Sequence, residues 1–454
     1  MGLWLYRLLL FLAFPLIAYS GWKRCRKADR LARQENDYAP IPQCFRARFG
    51  WNTPSFQKGG IWIHAVSVGE TRSIFPLLTE LKAQYPNLPI TVTSGSTQGA
   101  QQALRFAPVP VQHQMIPYDY PGAVQRFLDN IAPKLVIMVE TEIWPNLYQA
   151  CHARQIPLVL ANARLKEKSF DAYRKWGGAL IRRALNQTQL IASQFDMDTA
   201  HLLALGAEPQ RIQQLGNLKS DIDIPPGLAE NAQAWRNTAD SKNRFIWVAA
   251  STHGAVPPEQ TPEEDLAVSA HRTLLNEQPD ALLIIAPRHT DRFDDVAERL
   301  SQSQLKIAIR SRGDTVTADT QVYLADTIGE MMLWYQVANV AFVGGSLVPF
   351  GGHNPLEPAA LKKPIVSGIH VQNLKALYQT FQQDQAVTLV DNAAALAQQL
   401  IRLAQNTVLQ FEAGQSAYQC FQNQSGALAR FLTAIEPFLI ANTQTPNGNS
   451  HHVS

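Results

Sequence analysis

Three glutamates and a lysine fall where a chain can do sugar chemistry. Glu70 follows the apolar run Ile61–Val66 in the turn Ser67-Val68-Gly69-Glu70 and precedes a helical pattern over Phe75–Leu81. It is therefore expected at a strand's carboxyl end and a helix's amino end. There the helix dipole and nearby N–H groups favour a carboxylate, and a carboxylate in such a mouth can serve as general base toward a bound hydroxyl. A simple helix-capping acid would occupy the same position. Glu140 and Glu142 stand in VETEIWPN after the strand candidate Leu135–Val139, with Trp144 and Pro145 closing the turn. Lys219 ends GNLK, read as the tail of a last strand over Arg211–Lys219. It is a mobile cation near a break in the chain, or an ordinary surface lysine.

A second set lies in the other half. Gly344 to Pro364, GGSLVPFGGHNPLEPAALKKP, follows the buried-strand pattern Val340–Val343. Its glycine pairs let backbone N–H groups approach an anion. His353 and Asn354 stand beside them, Pro355 pre-sets a helix start, and Leu356 and Glu357 fall in the first turn. A glutamate there suits a ribose diol, or only complements the helix dipole. Arg288-His289 ends ALLIIAPRH, and an arginine fork pairs with phosphate. Gly329, Glu330 and Met331 open a helix whose N–H groups can face an anion. Together these predict a nucleotide-sugar site.

The elements that position these residues alternate strand and helix, in two series of similar length. Each half reads as a Rossmann-like domain, with a cleft between the two. At 454 residues, more than one domain is expected. The expected bounds are a membrane anchor with basic flank at 1–30, an N-terminal domain at 31–220, a linker at 221–243, a C-terminal domain at 244–441 and a disordered tail at 442–454. In the tail His451-His452 makes no metal site alone. Gly254 to Asp265 reads as a polar loop.

Leu3 to Ala18 is an apolar run interrupted only by Arg7 and Pro15, and extending it to Trp22 gives about 20 residues, just enough to span a bilayer. Lys23, Arg24, Arg26, Lys27 and Arg30 follow at once. A cleavable signal would place its charges first, so a single-pass inner-membrane anchor with a cytoplasmic body is expected. The formal charge of +3 hides an asymmetry, about +10 before residue 216 and about −7 after it. A basic half beside a membrane segment points to anionic lipid or a phosphorylated substrate, and no nucleic-acid motif appears. Asn162, Arg164, Lys166 and Lys168 make a cationic rim. Arg174, Lys175, Arg182 and Arg183 beside Trp176 suit a headgroup layer or a solvated face.

Four scattered cysteines without a Cys-x-x-Cys pair fit reduced thiols rather than a disulfide framework or zinc site. The acid pairs Asp196/Asp198 and Asp221/Asp223 have a spacing some metal-dependent sugar transferases use, but such pairs are common and no metal is expected.

With these residues in place, the chain closely resembles the 3-deoxy-D-manno-octulosonic acid (Kdo) transferases of lipopolysaccharide synthesis. WIHAVSVGE, VETEIWPN, GNLKSD, AASTH, APRH, DTIGEM and GGHNPLEP carry the resemblance across nearly the whole chain. It implies a GT-B fold, CMP-Kdo as donor, a lipid A precursor (lipid IVA) as acceptor, an inverting mechanism and no cofactor. Glu70 matches the family's proton acceptor. Glu140 and Lys219 match transition-state positions. Arg288, His289, Gly329, Glu330, Met331, Asn354, Pro355, Leu356 and Glu357 match CMP-binding segments. The main departure is GAVPPEQTPEEDL after Thr252-His253, where the family has a shorter, Glu-rich stretch. Two other readings stay open: a GT-B enzyme using a UDP-sugar on a lipid acceptor, and a non-catalytic, membrane-tethered sugar-binding protein.

Overall fold

Parallel strands buried on both faces need near-continuous apolar runs, and both halves of the chain supply them. The computed structural model describes residues 2–34, 38–51, 55–222, 224–238 and 243–440. It forms two units, Met1–Asp221 with Gly426–Ser454, and Ile222–Ser425.

The first unit holds β1 (Ile61–Ala65), β2 (Ile90–Ser94), β3 (Gln112–Met115), β4 (Leu135–Val139), β5 (Leu158–Ala163), β6 (Leu190–Ser193) and β7 (Ile212–Gln214). Their order is β3-β2-β1-β4-β5-β6-β7, all pairs parallel. The chain winds outward from β1 to β3, then returns to place β4 on the other side of β1. That reversal opens a crevice at the carboxyl ends of β1 and β4. Alternate residues fill the two faces: Trp62, Val136, Met138 and Leu160 on one, Ile63, Ile137, Val139 and Val159 on the other. Three helices matter for the site: α1 (Leu3–Gln34), α2 (Val68–Ser73) and α3 (Pro145–Ala153).

The second unit repeats the plan. It comprises β8 (Ile246–Thr252), β9 (Leu282–Pro287), β10 (Ile307–Ile309), β11 (Val322–Leu324), β12 (Val340–Val343), β13 (Ile365–Gly368) and β14 (Thr388–Val390). The order is β10-β11-β9-β8-β12-β13-β14, again all parallel. Its reversal lies between β8 and β12. The relevant helices are α4 (Leu228–Thr238), α5 (Glu263–Glu277), α6 (Met331–Val337) and α7 (Leu356–Ala360).

Several expectations change. The last helix, α8 (Ala427–Ile440), was placed in the second domain; Phe431, Ile435 and Leu439 instead pack with Leu77, Leu78 and Leu81 of the first. Asp221 fixes its start by accepting from the Leu428 N–H at 2.8 Å and the Gly426 N–H. Asp198 likewise accepts from the Leu165 N–H at 2.8 Å and the Phe195 N–H at 3.3 Å. Asp198 and Asp221 are thus caps, while Asp223 and the tail, with His451 and His452, lie outside the described residues. The linker carries α4, whose Ala232 joins the second unit's core. The last strand of the first half is only Ile212–Gln214, so GNLK is loop. Within the insert Gly254–Asp265, helix α5 begins at Glu263 and buries Glu263 and Glu264.

Cys25 and Cys44 form a disulfide, against the expectation of four reduced thiols; Cys151 and Cys420 are free and buried. Helix α1 brings the pair together by packing Cys25 and Ala28 against Cys44 and Ala47, a proximity that cysteine spacing alone does not reveal. Among the described residues α1 is the one helix long and apolar enough to cross a membrane, with a mean hydropathy of 1.7 in its apolar window.

Candidate active site

The carboxyl edge of the first sheet gathers the chemistry. Ser67 caps α2, its hydroxyl accepting from the Glu70 N–H at 3.3 Å. The Glu70 carboxylate reaches back, accepting from the Val66 N–H and the Ser67 hydroxyl, each at 2.8 Å. The cap expected as an alternative is therefore present, with the carboxylate bonded to the N–H just before the N-cap rather than to that of the N-cap itself. It also fixes the carboxylate at the mouth of β1 and leaves part of its acceptor capacity unused. Burial pushes the Glu70 carboxyl above the ordinary glutamate value of 4.5, the two hydrogen bonds oppose this, and nearby Glu140 and Glu142 push it up further. A carboxylate with raised proton affinity is a better base than an exposed one.

Across the reversal, Glu140 ends β4 in the left-handed region at φ 63°, a conformation costly for a residue with a Cβ. Its Oε1 accepts from Lys219 Nζ at 2.8 Å. Asn162 positions that lysine: also left-handed, at φ 54°, it accepts from the Leu218 N–H through Oδ1 at 3.0 Å. From sequence alone Asn162 stands only on a cationic rim. Glu142 accepts from the Trp144 indole N–H at 2.6 Å, and the wholly buried His64 stands 3.8 Å from it through Nε2. That distance is too long for a hydrogen bond. Burial raises the Glu142 carboxyl, but His64 and Trp144 more than offset this and hold it below the usual range. The structure therefore brings Glu70, Glu140 and Lys219 to one crevice and adds His64, which nothing in its strand context flagged.

In the second unit Arg288 and His289 follow β9, exposed. His289 meets His253 edge to face at 5.2 Å, and His253 stacks on Phe350 at 3.7 Å. His253 and His353 are 2.8 Å apart through Nε2. Burial first, then neighbouring cations including Arg288, lower them to about 4 and about 3, so both rings are neutral near pH 7. Glu357, in the first turn of α7, is raised by burial and lowered by Arg288. Arg288 carries no ion pair among the described residues. Asn354 accepts from the Leu356 N–H at 3.1 Å, and Pro355 precedes α7.

One expected anion site is filled by the protein itself. The N–H groups of Gly345, Ser346 and Leu347 donate to buried Glu263 at 2.6, 3.0 and 2.9 Å, with the His253 N–H at 3.2 Å. Gly345 needs its positive φ of 66° to turn its N–H this way, and the Gly351 and Gly352 N–H groups go to the Gly345 carbonyl. The loop after β12 thus grips an internal carboxylate, which the insert supplies, and Gly345 is the one glycine of the two pairs that donates to it. Glu264 likewise accepts from Thr252 at 2.7 Å and takes the Arg292 fork at 2.7 and 3.0 Å. At Gly329-Glu330-Met331, Gly329 has φ 89° and Glu330 receives the Arg310 fork at 2.8 and 3.2 Å. These residues stand at the same carboxyl edge, after β11.

A family model described as 3-Deoxy-D-manno-octulosonic-acid transferase (kdotransferase) matches residues 43–222. The 3-deoxy-D-manno-octulosonic acid transferase of Haemophilus influenzae is 35% identical over 92% of this chain and 92% of its own length. That of Bordetella pertussis is 33% identical over 97% of this chain and 100% of its own. A solved glycosyltransferase from Rickettsia africae, 13% identical, covers 86% of this chain and 100% of its own with a TM-score of 0.55, which shows the GT-B type of fold. On these matches the chain belongs to the 3-deoxy-D-manno-octulosonic acid transferases, a family of glycosyltransferases.

Proposed function

We propose that the protein moves Kdo from CMP-Kdo to a lipid A precursor, lipid IVA, with inversion, and that Glu70 is the general base. The observation that carries this is the Glu70 carboxylate, fixed at the β1/β4 reversal and raised in proton affinity, in one crevice with the Glu140–Lys219 pair. The acceptor hydroxyl attacks the anomeric carbon of Kdo and yields its proton to Glu70. The bond from that carbon to the phosphate oxygen breaks, and CMP leaves with the electron pair. CMP is a good leaving group, so no strong general acid is required. Glu140 stabilises the positive charge that develops on the sugar, and Lys219 meets the departing phosphate. Arg288 pairs with the donor phosphate, and Glu357 accepts from the ribose hydroxyls, with His289, Gly329 to Met331 and Asn354 to Leu356 shaping the rest of the CMP site.

Helix α1 and its basic flank support attachment to an inner membrane with the catalytic body on the cytoplasmic side. Nuclear magnetic resonance of the product formed from CMP-Kdo tests the chemistry. An inverted ketoside of the acceptor is expected. A retained configuration, or a product formed only with a UDP-sugar, would overturn the proposal.

A further inference from the structure

The anchor helix does not stand clear of the first unit. Tyr6 donates through its hydroxyl to Asp119 at 2.9 Å, Arg7 through Nε to Asn146 Oδ1 at 2.7 Å, and the Tyr120 hydroxyl to the Leu10 carbonyl at 2.9 Å. Farther along, Gly21 packs so closely on Tyr118 that a Cβ would meet its hydroxyl at 2.0 Å, and Cys25 is tied to Cys44. From Tyr6 to Cys25 the helix is held over about 28 Å. Its outward side exposes Trp4, Leu9, Phe11, Leu12 and Tyr19.

Between helix and domain lies a hollow of about 480 Å³, with Leu10, Ile17, Ile143 and Trp144 on its walls and Arg24 on its lining, within the usual range for a small-ligand site of about 300–1,000 Å³. Its one carboxylate is already spent. Asp119 accepts from the Asn146 and Leu147 N–H groups at 2.9 and 2.8 Å as well as from Tyr6. What remains is an apolar trough with a cation. Trp144 belongs to two places at once: its ring lines the trough, and its indole N–H holds Glu142 in the carboxylate group beside Glu70.

We propose that this trough takes an acyl chain of the lipid acceptor, so that α1 is a wall of the acceptor site as well as an anchor. The inference rests on the lipid-acceptor reading above and deepens it. The exposed apolar side of α1 continues into the trough, which gives a chain a route from the bilayer without crossing water. Arg24, with Lys23, Lys27 and Arg30 beside it in sequence, complements a phosphorylated headgroup. Trp144 sets the chain next to the carboxylates that would activate the headgroup hydroxyl.

The test uses the full chain in detergent with phosphorylated glucosamine disaccharides that share a headgroup and carry short, medium or long acyl chains. Wild-type kcat/KM should rise with chain length. Ile17→Trp, which fills the trough, should lower kcat/KM for the long-chain acceptor about tenfold, equivalent to about 1.4 kcal/mol, through KM, and flatten the length dependence. A length dependence unchanged in Ile17→Trp, or a loss equal for all acceptors, would overturn the inference. Transfer to none of them by the wild type would instead refute the proposed function. A second measurement needs neither a variant nor turnover: an acceptor with a diazirine at its chain end should label wild-type peptides containing Leu10–Ser20 or Ile143–Trp144. Labelling elsewhere, or equal labelling of those peptides by a bulk phospholipid with the same tag, would contradict it.

Discussion

Replacing Glu70 with glutamine separates its two jobs. In the native structure the carboxylate accepts from the Val66 N–H and the Ser67 hydroxyl, each at 2.8 Å. Glutamine can direct its oxygen to the Val66 N–H, while its amide faces the Ser67 oxygen once that hydroxyl rotates. The capping geometry is then largely kept, and the expected stability cost is about 1 kcal/mol, one hydrogen bond weakened from charged to neutral. The base is lost outright, and kcat should fall roughly 100- to 10,000-fold. In the wild type the base must be ionised, so activity falls as pH drops through its raised pKa. The acid limb of kcat/KM is therefore expected above 4.5, the ordinary glutamate value, and absent from the residual activity of the variant. Steady-state kinetics and thermal unfolding of the same preparations give both numbers. Near wild-type turnover in a folded Glu70→Gln protein would refute the reasoning and leave Glu70 as a cap.

Other predictions follow from the same geometry. The Lys219–Glu140 pair is partly exposed, with side-chain accessibilities of 39% and 23%, so it adds at most about 1 kcal/mol to stability. Lys219→Met should therefore leave thermal unfolding nearly unchanged while kcat falls roughly 100- to 1,000-fold; an equal, small effect on both would deny the lysine a transition-state role. Glu263→Ala strands four backbone N–H groups in the interior and should cost roughly 3–5 kcal/mol, read as a lower unfolding midpoint. His253 and His353 have folded values of about 4 and about 3 against an ordinary 6.5. Their contribution to stability is complete above pH 6.5 and is lost as pH falls toward those values, because the unfolded chain takes up the protons first. A His253→Gln, His353→Gln double variant should show a shallower fall in unfolding temperature between pH 6.5 and about 5. The Cys25–Cys44 disulfide ties α1 to the body and closes a loop worth about 3 kcal/mol, so a Cys25→Ser, Cys44→Ser variant should unfold at a lower temperature; an unchanged midpoint would contradict the bond.

Much of the fold was legible because parallel strands buried on both sides leave unmistakable apolar runs, as in Leu135–Val139 and Ile246–Ala250. Strands β3 and β10 were not. Gln112–Met115 reads QHQM, mostly polar residues in an edge strand that is nonetheless largely buried, and Ile307–Ile309 is too short to stand out. In the first unit, strand-end position and helix-start chemistry pointed to Glu70 and Glu140, which the fold brings near one another. The long-range pairings were hidden: Glu263 in the glycine loop lies 82 residues from Gly345, and His64 looks like an interior strand position until Glu142 is placed beside it. Glycine pairs in a sequence signal turned-in N–H groups but not their acceptors: here Gly345 turns to the protein's own Glu263, while Gly351 and Gly352 turn to the Gly345 carbonyl. The docking of α1 was equally invisible, since Tyr6 and Arg7 look like flaws in an apolar span until Asp119 and Asn146 appear opposite them.

The most direct test of the central claim is mass spectrometry of a lipid A precursor incubated with the full-length protein and each of several donors. The account predicts a mass gain of one or more Kdo units with freshly generated CMP-Kdo, abolished in Glu70→Gln, and no gain with UDP-sugars. A gain with a UDP-sugar, or an unchanged acceptor while CMP-Kdo stays intact and the protein folded, would contradict it.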